Sequence, residues 1–193
     1  MRKLIWVIFM LAGTVAFGDL RVIEDAAEKG DQMAIASLRD SAHCGNPRAM
    51  NFLGYLYWQG RGTRMDKDSA LYFLNAAAEL GDAKAMGNLA HLMLIGDDSF
   101  VADTVKGICL LSSAAERNSM AALRELSDFL DYTSRYDSLI PSGIKRVADA
   151  YSHGYPLPYD YHKSIRLYDR AAMAGDTISQ RIVDEVRQIF PDL

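Results

Sequence analysis

Apolar side chains recur every three or four residues through most of the chain, as they do on the buried side of an amphipathic helix. In residues 47–59, Ala49, Leu53 and Tyr57 lie four residues apart, with Met50 and Leu56 beside them. A second apolar series at helical spacing follows, and it consists of Ala70, Phe73, Leu74, Ala77 and Ala78. Between the two series, Gly60 and Gly62 are suited to end a helix and Asp66 to begin one. The pattern predicts an all-α chain of short helices separated by glycine and acidic residues.

This pair of helices is repeated along the chain. Residues 53–82 read LGYLYWQGRGTRMDKDSALYFLNAAAELGD, and residues 147–176 read VADAYSHGYPLPYDYHKSIRLYDRAAMAGD, aligned without a gap. A third copy, residues 89–118, lies between them. A period of about 36 residues is typical of stacked two-helix units, which bury their apolar ends only against neighbouring units. We therefore predict a right-handed α-solenoid of stacked antiparallel helix pairs, in which each unit has a first helix A and a second helix B.

The repeat divides the chain into segments. We predict a signal peptide at 1–18, an N-terminal pair of helices at 19–46, full repeats at 47–82, 83–118 and 142–176, a degenerate half repeat at 119–141, and a C-terminal capping helix at 177–193. Within the half repeat, residues 132–141 are expected to be irregular because a second helix does not fit before the next repeat begins. Gly54 and Ala90 are small at positions where a neighbouring helix must come close. In the capping helix, Ile182, Val183, Val186 and Ile189 are expected to form the apolar face.

The N-terminus has the three parts of a secretory signal. Arg2 and Lys3 precede an apolar run over residues 4–17, and Ala16 and Gly18 are small residues at the positions that a signal peptidase reads before Asp19. An uncleaved membrane anchor is the alternative, but fourteen apolar residues fall short of the ~20 that a membrane-spanning helix needs. We expect cleavage before Asp19, no stable membrane insertion, and a secreted, periplasmic protein. Loss of Arg2 and Lys3 changes the formal charge from −4 to −6.

Composition excludes several classes of protein. Hydrophobic residues make up 50% of the chain and charged residues 24%, as in globular proteins. The cations are dispersed, so no basic stripe favours a nucleic-acid partner. Cys44 and Cys109 fall two units apart, which is too far for a disulfide in a stacked array, so we expect no bridge.

The sequence offers no pattern typical of catalysis or metal binding. The four histidines lack the spacing of a metal site, and there is neither a GxSxG motif nor a glycine-rich phosphate loop. Asp97, Asp98 and Asp103 could suggest calcium, but the EF-hand spacing and its glutamate are missing, so a capped loop is the better interpretation. We expect no catalytic residue, no metal and no cofactor.

The first full copy, LGYLYWQGRG followed by Asp66 and then SALYFLNAAAELGD, resembles the Sel1-like repeat, a relative of the tetratricopeptide repeat. The middle copy departs from the pattern at Met93, and the final copy has Pro156 in place of the second glycine. The resemblance implies a protein-binding scaffold or adaptor without catalysis, in which the A helices line a concave face. The residues that would bind a protein or peptide there are Asn51, Tyr55, Trp58, Asn88, His91, Arg124, Asp128 and Asp149. For each, the alternative is a solvated position, or for the aromatics a packing contact.

Two other functions remain open at this point. An immunity protein that neutralises a toxin of the cell envelope would also suit a small secreted repeat protein. A hydrolase of cell-wall or β-lactam compounds is suggested only by similarity to a cysteine-rich branch of the same repeats. That branch pairs two cysteines within each repeat, and this chain has no such pairs.

Overall fold

A computed structural model describes residues 17–96 and 101–190, with side chains from Leu20 onward. These residues form ten α-helices and one short 3-10 helix, and they contain no β-strand. The prediction of an all-α chain of packed helix pairs is confirmed. Most of the predicted signal peptide lies outside the described residues, as do Asp97 and Asp98 of the calcium alternative.

The helices belong to two compact units, of which the first ends at Leu80. The helices of the first unit are α1 (Phe17–Glu28), α2 (Gln32–His43), α3 (Pro47–Gln59) and α4 (Lys67–Glu79). Each contacts the next along the chain, and α3 and α4 form the most extensive pair. Its core includes Ile35, Leu38 and Leu53, which are almost fully buried. Helices α1 and α2 occupy the part of the chain where the N-terminal pair was predicted, residues 19–46, and α1 begins two residues earlier.

The second unit begins at Gly81. Its helices are α5 (Ala83–Ile95), α6 (Thr104–Glu116), α7 (Met120–Tyr132), α8 (Pro141–His153), α9 (Tyr161–Met173) and α10 (Thr177–Ile189). A 3-10 helix at Asp137–Leu139 is the only regular structure between α7 and α8 among the described residues. The segment between the two helices, residues 133–140, is one residue shorter at each end than the predicted irregular stretch 132–141. With no second helix in this position, α8 packs directly on α6.

Side-chain caps define where the helices begin. Asp66 accepts a hydrogen bond from the Ser69 N–H at 3.1 Å, as predicted, and Asp82 accepts one from the Ala85 N–H at 2.7 Å. The residues that cap a helix in this way are Asp31, Asn46, Asp66, Asp82, Asp103, Ser119, Asp160 and Asp176. Such caps satisfy N–H groups that the first turn of a helix leaves without partners.

The closest approach of α3 and α4 occurs at Gly54. A Cβ added there would lie 2.7 Å from Leu74 Cγ and 3.2 Å from the Ala70 carbonyl oxygen. In the α5–α6 pair the glycine is on the other helix: a Cβ at Gly107 would lie 2.9 Å from Leu94 Cγ and 3.2 Å from the Ala90 carbonyl oxygen. The pair Gly54 and Ala70 thus becomes Ala90 and Gly107. Each of these two helix pairs omits one methyl group at its crossing, and either helix can supply the glycine.

The α6–α8 contact also depends on a glycine. A Cβ at Gly143 would lie 2.2 Å from Ser112 Oγ, which leaves no room for any other residue. Beside it, the Ser142 hydroxyl donates a hydrogen bond to Glu116 Oε1 at 2.6 Å. A glycine and a short polar side chain therefore allow α8 to lie against α6.

Two predicted core assignments are only partly correct. Tyr57 and Phe73 are half-buried, and their rings stack at 5.9 Å between centroids. The Tyr57 hydroxyl accepts a hydrogen bond from Arg39 Nη2 at 2.9 Å, so its polar end faces water. In α10, Val183 is buried, whereas Ile182 and Val186 are half-buried and Ile189 is exposed.

Exchange of the two small residues at the α3–α4 crossing tests this account of helix packing. We expect Gly54→Ala to lower the free energy of unfolding by about 1–3 kcal/mol, because an added methyl group overpacks the crossing. The double change Gly54→Ala/Ala70→Gly reproduces the arrangement at Ala90 and Gly107, and we expect it to recover at least half of that loss. Urea denaturation followed by circular dichroism measures both.

Gly87→Ala is the matched control, since a Cβ at this helical glycine would meet nothing within 4 Å. We expect it to be neutral or to stabilise by about 0.5–1 kcal/mol through helix propensity. A double variant no more stable than Gly54→Ala would contradict the exchange of glycine between the two helices.

Candidate partner-binding surface

The eight predicted binding residues are divided between the two units, so each unit is described separately. Asn51, Tyr55 and Trp58 lie on α3 in the first unit. In the second unit, Asn88 and His91 lie on α5, Arg124 and Asp128 on α7, and Asp149 on α8. These residues differ in how much of the side chain is exposed and in whether it already contacts other residues.

In the first unit, Asn51 is only 9% exposed, so its side chain offers little surface to a partner. Trp58 is half-buried, and the Lys67 ammonium lies 5.7 Å from the centroid of its ring. Helical periodicity placed both side chains correctly on α3. It could not show that Asn51 would be buried, or that Lys67 of the next helix would lie against the Trp58 ring.

Tyr55 belongs to a network inside the first unit. Its hydroxyl donates a hydrogen bond to Glu28 Oε1 at 3.3 Å, and the Arg61 guanidinium lies 5.9 Å from its ring centroid. Arg61 also forms an ion pair with Glu28. The Phe52 ring is tilted against Tyr55, with the centroids 5.9 Å apart. A partner that bound Tyr55 would have to compete with these contacts.

A neighbouring ion pair joins α1 to α3. Arg48 Nε and Nη2 donate to the two carboxylate oxygens of Glu24 at 2.8 and 2.5 Å. Such a two-point contact fixes both side chains, since the guanidinium matches the carboxylate in shape. The A-helix surface of the first unit is therefore rich in polar groups that already bind one another.

In the second unit, Asp149 is held between two helices. It accepts a hydrogen bond from Lys145 Nζ at 2.8 Å and another from the Tyr168 hydroxyl at 2.7 Å. Burial raises the pKa of Tyr168 to about 12, and the hydrogen bond to Asp149 acts in the same direction. Asp149 thus stabilises the α8–α9 pair.

His91 and Glu125 connect the exposed sides of α5 and α7. His91 Nδ1 lies 3.2 Å from Glu125 Oε1, and the His91 side chain is more than half exposed. Asn88 is exposed one turn before His91 on the same helix. Glu125 is not among the eight predicted residues, although its position three residues before Asp128 places it on the same side of α7.

Arg124 and Asp128 lie one turn apart on α7, and both are exposed. Neither forms a hydrogen bond or an ion pair with the residues that the structure describes. Tyr132 follows one further turn along and is 89% exposed. We define the α5–α7 face as Asn88, His91, Arg124, Glu125, Asp128 and Tyr132. It combines a cation, an anion and an aromatic ring that are all accessible.

Arg170 holds the end of α7 in place. Its Nη1 and Nη2 donate to the carbonyl oxygens of Leu130 and Thr133, each at 2.8 Å. Its Nε and Nη2 also bind the two carboxylate oxygens of Asp137 at 2.8 and 2.7 Å. One side chain therefore satisfies carbonyl groups at the C-terminus of a helix and fixes the segment that follows. Because Arg170 is about 35 residues away in the chain, sequence patterns gave no sign of this contact.

A further cation binds the end of α7. Lys163 Nζ lies 2.7 Å from Asp131 Oδ2 and 4.6 Å from the ring centroid of Tyr151. Burial disfavours the charge on Lys163, but the hydrogen bonds to Asp131 and Tyr151 outweigh it and raise the pKa of the ammonium. Since Tyr151 and Ser127 share a buried hydrogen bond of 2.8 Å, this cluster joins α7, α8 and α9.

Three further properties of the described residues concern metal binding, the state of the cysteines and the apolar character of the helices. No three His, Cys, Asp or Glu side chains there come together as a metal site would require. Cys44 is exposed and Cys109 partly buried, and both are free thiols. Over residues 17–96 and 101–190, none of the helices has the length and apolar character needed to cross a membrane.

The contact between Tyr168 and Asp149 predicts a pH dependence of stability. Folding raises the pKa of Tyr168 from about 10 to about 12, so the folded chain holds this proton more tightly than the unfolded chain. Its contribution is fully present below pH 10 and is lost as the pH rises through 12. We expect the free energy of unfolding, measured in urea between pH 9 and pH 12, to fall less steeply in Tyr168→Phe than in the parent chain.

Tyr159→Phe is the control, since Tyr159 is 67% exposed. Its pH profile should match that of the parent. If Tyr168→Phe also followed the parent profile, the proton on Tyr168 would have no part in stability.

Comparison with known protein families agrees with this architecture. A family model described as the Sel1 repeat matches residues 47–82, 83–119 and 141–176, more than half of the chain. The chain is 27% identical over 170 residues to the uncharacterized protein NMB1327 of Neisseria meningitidis serogroup B. That alignment covers 80% of this chain and 35% of the relative, so the chain spans about a third of that protein's length.

Two solved structures have the same fold. One is c5321, described as a protective antigen present in uropathogenic Escherichia coli strains, with a TM-score of 0.55 and 22% identity over 88% of this chain and 41% of the other. The second is a Sel1 repeat protein from Oxalobacter formigenes, with a TM-score of 0.51 and 21% identity over 86% of this chain and 58% of the other. At such low identity these similarities concern the fold alone. Together with the three matched repeats, they identify this chain as a member of the Sel1 repeat family.

Proposed function

We propose that this chain is a non-catalytic scaffold that binds a protein or peptide through the α5–α7 face. Sel1 repeat proteins are generally protein-interaction scaffolds. The observation that carries the proposal for this chain is the accessibility of Arg124, Asp128 and Tyr132, which occupy three successive turns of one helix. Arginine and tyrosine are enriched among the residues that dominate binding energy at protein interfaces.

The free charges on α7 favour a partner that carries both an acidic and a basic group. Arg124 and Asp128 make no hydrogen bond or ion pair with described residues, so a partner gains their interactions without displacing existing ones. Tyr55, in contrast, already contacts Glu28 and Arg61. For this reason the second unit is the better candidate surface, and charge complementarity would set which partner is accepted.

A second part of the proposal is that the chain acts outside the cytoplasm, in the periplasm, after removal of residues 1–18. Its support is the sequence: Arg2 and Lys3, the short apolar run, and small residues before Asp19. The similar proteins named above come from bacteria. A partner located in the cell envelope follows from this placement, and a toxin found as that partner would indicate an immunity role.

Affinity capture from envelope extract tests the binding surface, with a C-terminally tagged chain as bait. We expect Arg124→Ala/Tyr132→Ala to weaken binding of the captured partner by about tenfold or more, since each such anchor contributes on the order of 1–2 kcal/mol. The affinity is then measured with the purified partner by calorimetry, and circular dichroism verifies that the variant is folded.

Arg166→Ala/Tyr159→Ala removes the same two residue types from exposed positions elsewhere in the second unit. This control should bind as the parent does. If both double variants retain the parent affinity, the partner does not use the α5–α7 face.

The N-terminus of the exported protein tests the predicted cleavage. Mass spectrometry of protein recovered from the periplasmic fraction should give a chain that begins at Asp19. Replacement of the small residue Ala16 by lysine should block processing, because the peptidase site accepts only small side chains there. A periplasmic chain that retained Arg2 and Lys3 would show that the segment is not a cleaved signal.

A further inference from the structure

The C-terminal helix α10 buries only part of its apolar surface within its unit. Val183 is 2% exposed and packs toward the rest of the unit. Ile178 and Ile189, in contrast, are 47% and 69% exposed, and Phe190 directly after the helix is 50% exposed. Isoleucine gains about 1.5–3 kcal/mol on full burial, so two such side chains in water at one helix face indicate a contact surface.

Exposed Ile178 and Ile189 belong to a regularly spaced set of positions that also includes half-buried Ile182 and exposed Glu185. Ile178, Ile182, Glu185 and Ile189 lie four, three and four residues apart, which is the spacing of helices that pair along a common seam. At about 100° per residue, these four positions fall within about 60° of the helix circumference. We call this set the outer stripe of α10. Ser179 and Val183 are the buried residues of the helix, and the centre of the stripe lies about 110° around the helix from them.

Two opposite charges, Glu185 within the outer stripe and Arg181 at its edge, have no partner among the described residues. Arg181 and Glu185 are both exposed, and neither forms an ion pair or a hydrogen bond with the described residues. Three other polar side chains of the same helix, in contrast, form hydrogen bonds. Arg187 Nη2 binds Asp169 Oδ1 at 2.8 Å, and Gln180 Nε2 binds Asp184 Oδ1 at 2.9 Å. The free charges therefore coincide with the exposed apolar residues.

We propose that the outer stripe of α10 is a self-association surface, on which α10 of a second copy packs in the antiparallel direction. A two-fold axis midway between Ile182 and Glu185 brings Ile178 of one copy against Ile189 of the other. The same axis places Arg181 beside Glu185 of the second copy, within about one residue's rise along the helix. Because the arrangement is symmetric, the ion pair forms twice. The stripe and the charge at its edge are thus arranged to be complementary in charge to a second copy.

The size of this surface sets the strength of association. A single pair of 13-residue helices buries less than the ~1,200–2,000 Å² of typical stable interfaces, so the dimer is expected to be weak and dependent on concentration.

This inference is independent of the proposed partner on the α5–α7 face, because it concerns a different helix and its binding partner is a second copy of the chain.

Charge reversal provides the decisive experiment, with sedimentation velocity from micromolar to millimolar concentration as the measurement. We expect the parent chain to shift from monomer to dimer over this range. Arg181→Glu and Glu185→Arg should each shift the midpoint at least tenfold upward in concentration, because like charges then face each other. The double reversal Arg181→Glu/Glu185→Arg restores opposite charges and should return the midpoint to near that of the parent. A purely monomeric parent, or a double reversal that fails to recover dimer, would overturn the proposal.

An apolar substitution with a matched control completes the test. Ile178→Asp should abolish dimer formation, since it places a charge within the stripe. Val105→Asp, on α6, alters a residue of nearly equal exposure, 49% against 47%, and should leave the midpoint unchanged. Circular dichroism of each variant verifies the fold. Equal loss of dimer in the two variants would mean that another surface mediates association.

Discussion

Close contact between neighbouring helices is the constraint on which the rest of this structure depends. At three helix contacts a Cβ atom would lie less than 3 Å from a neighbouring side chain, and the glycines there are Gly54, Gly107 and Gly143. Interior packing is dense enough that one methyl group is felt, so these positions determine how far apart the helix axes lie. The distance between the helix axes in turn determines which side chains remain exposed to solvent, and therefore which residues a partner can reach.

Much of the fold could be predicted from the sequence because its causes are local. Helical periodicity located the helices, and Asp66 marked the start of one of them through a hydrogen bond to an N–H group three residues away. The exchange of glycine from Gly54 to Gly107 was not foreseen. It depends on two residues that meet across a helix pair, and a pattern read along one helix does not contain that information.

For the candidate site, the sequence could predict on which helix each residue lies but not whether its side chain is accessible. Periodicity assigned Asn51, Tyr55 and Arg124 to A helices, but it could not distinguish the buried Asn51 from the exposed Arg124. Tyr55 is engaged because Glu28 and Arg61, both outside its own helix, meet over its ring. Such contacts join residues 27 to 33 positions apart, and they arise from packing rather than from local pattern.

The contacts of Arg170 bear on how an array of helical repeats can change in length. By binding two carbonyl groups and one carboxylate, it secures a connection of eight residues where the full repeats have a 13-residue helix. The family model passes over this part of the chain, yet α7 within it carries Arg124, Asp128 and Tyr132. A solenoid can thus lose half a repeat and still present the remaining helix to solvent. Repeat number counted from sequence alone therefore underestimates how many helices are available for recognition.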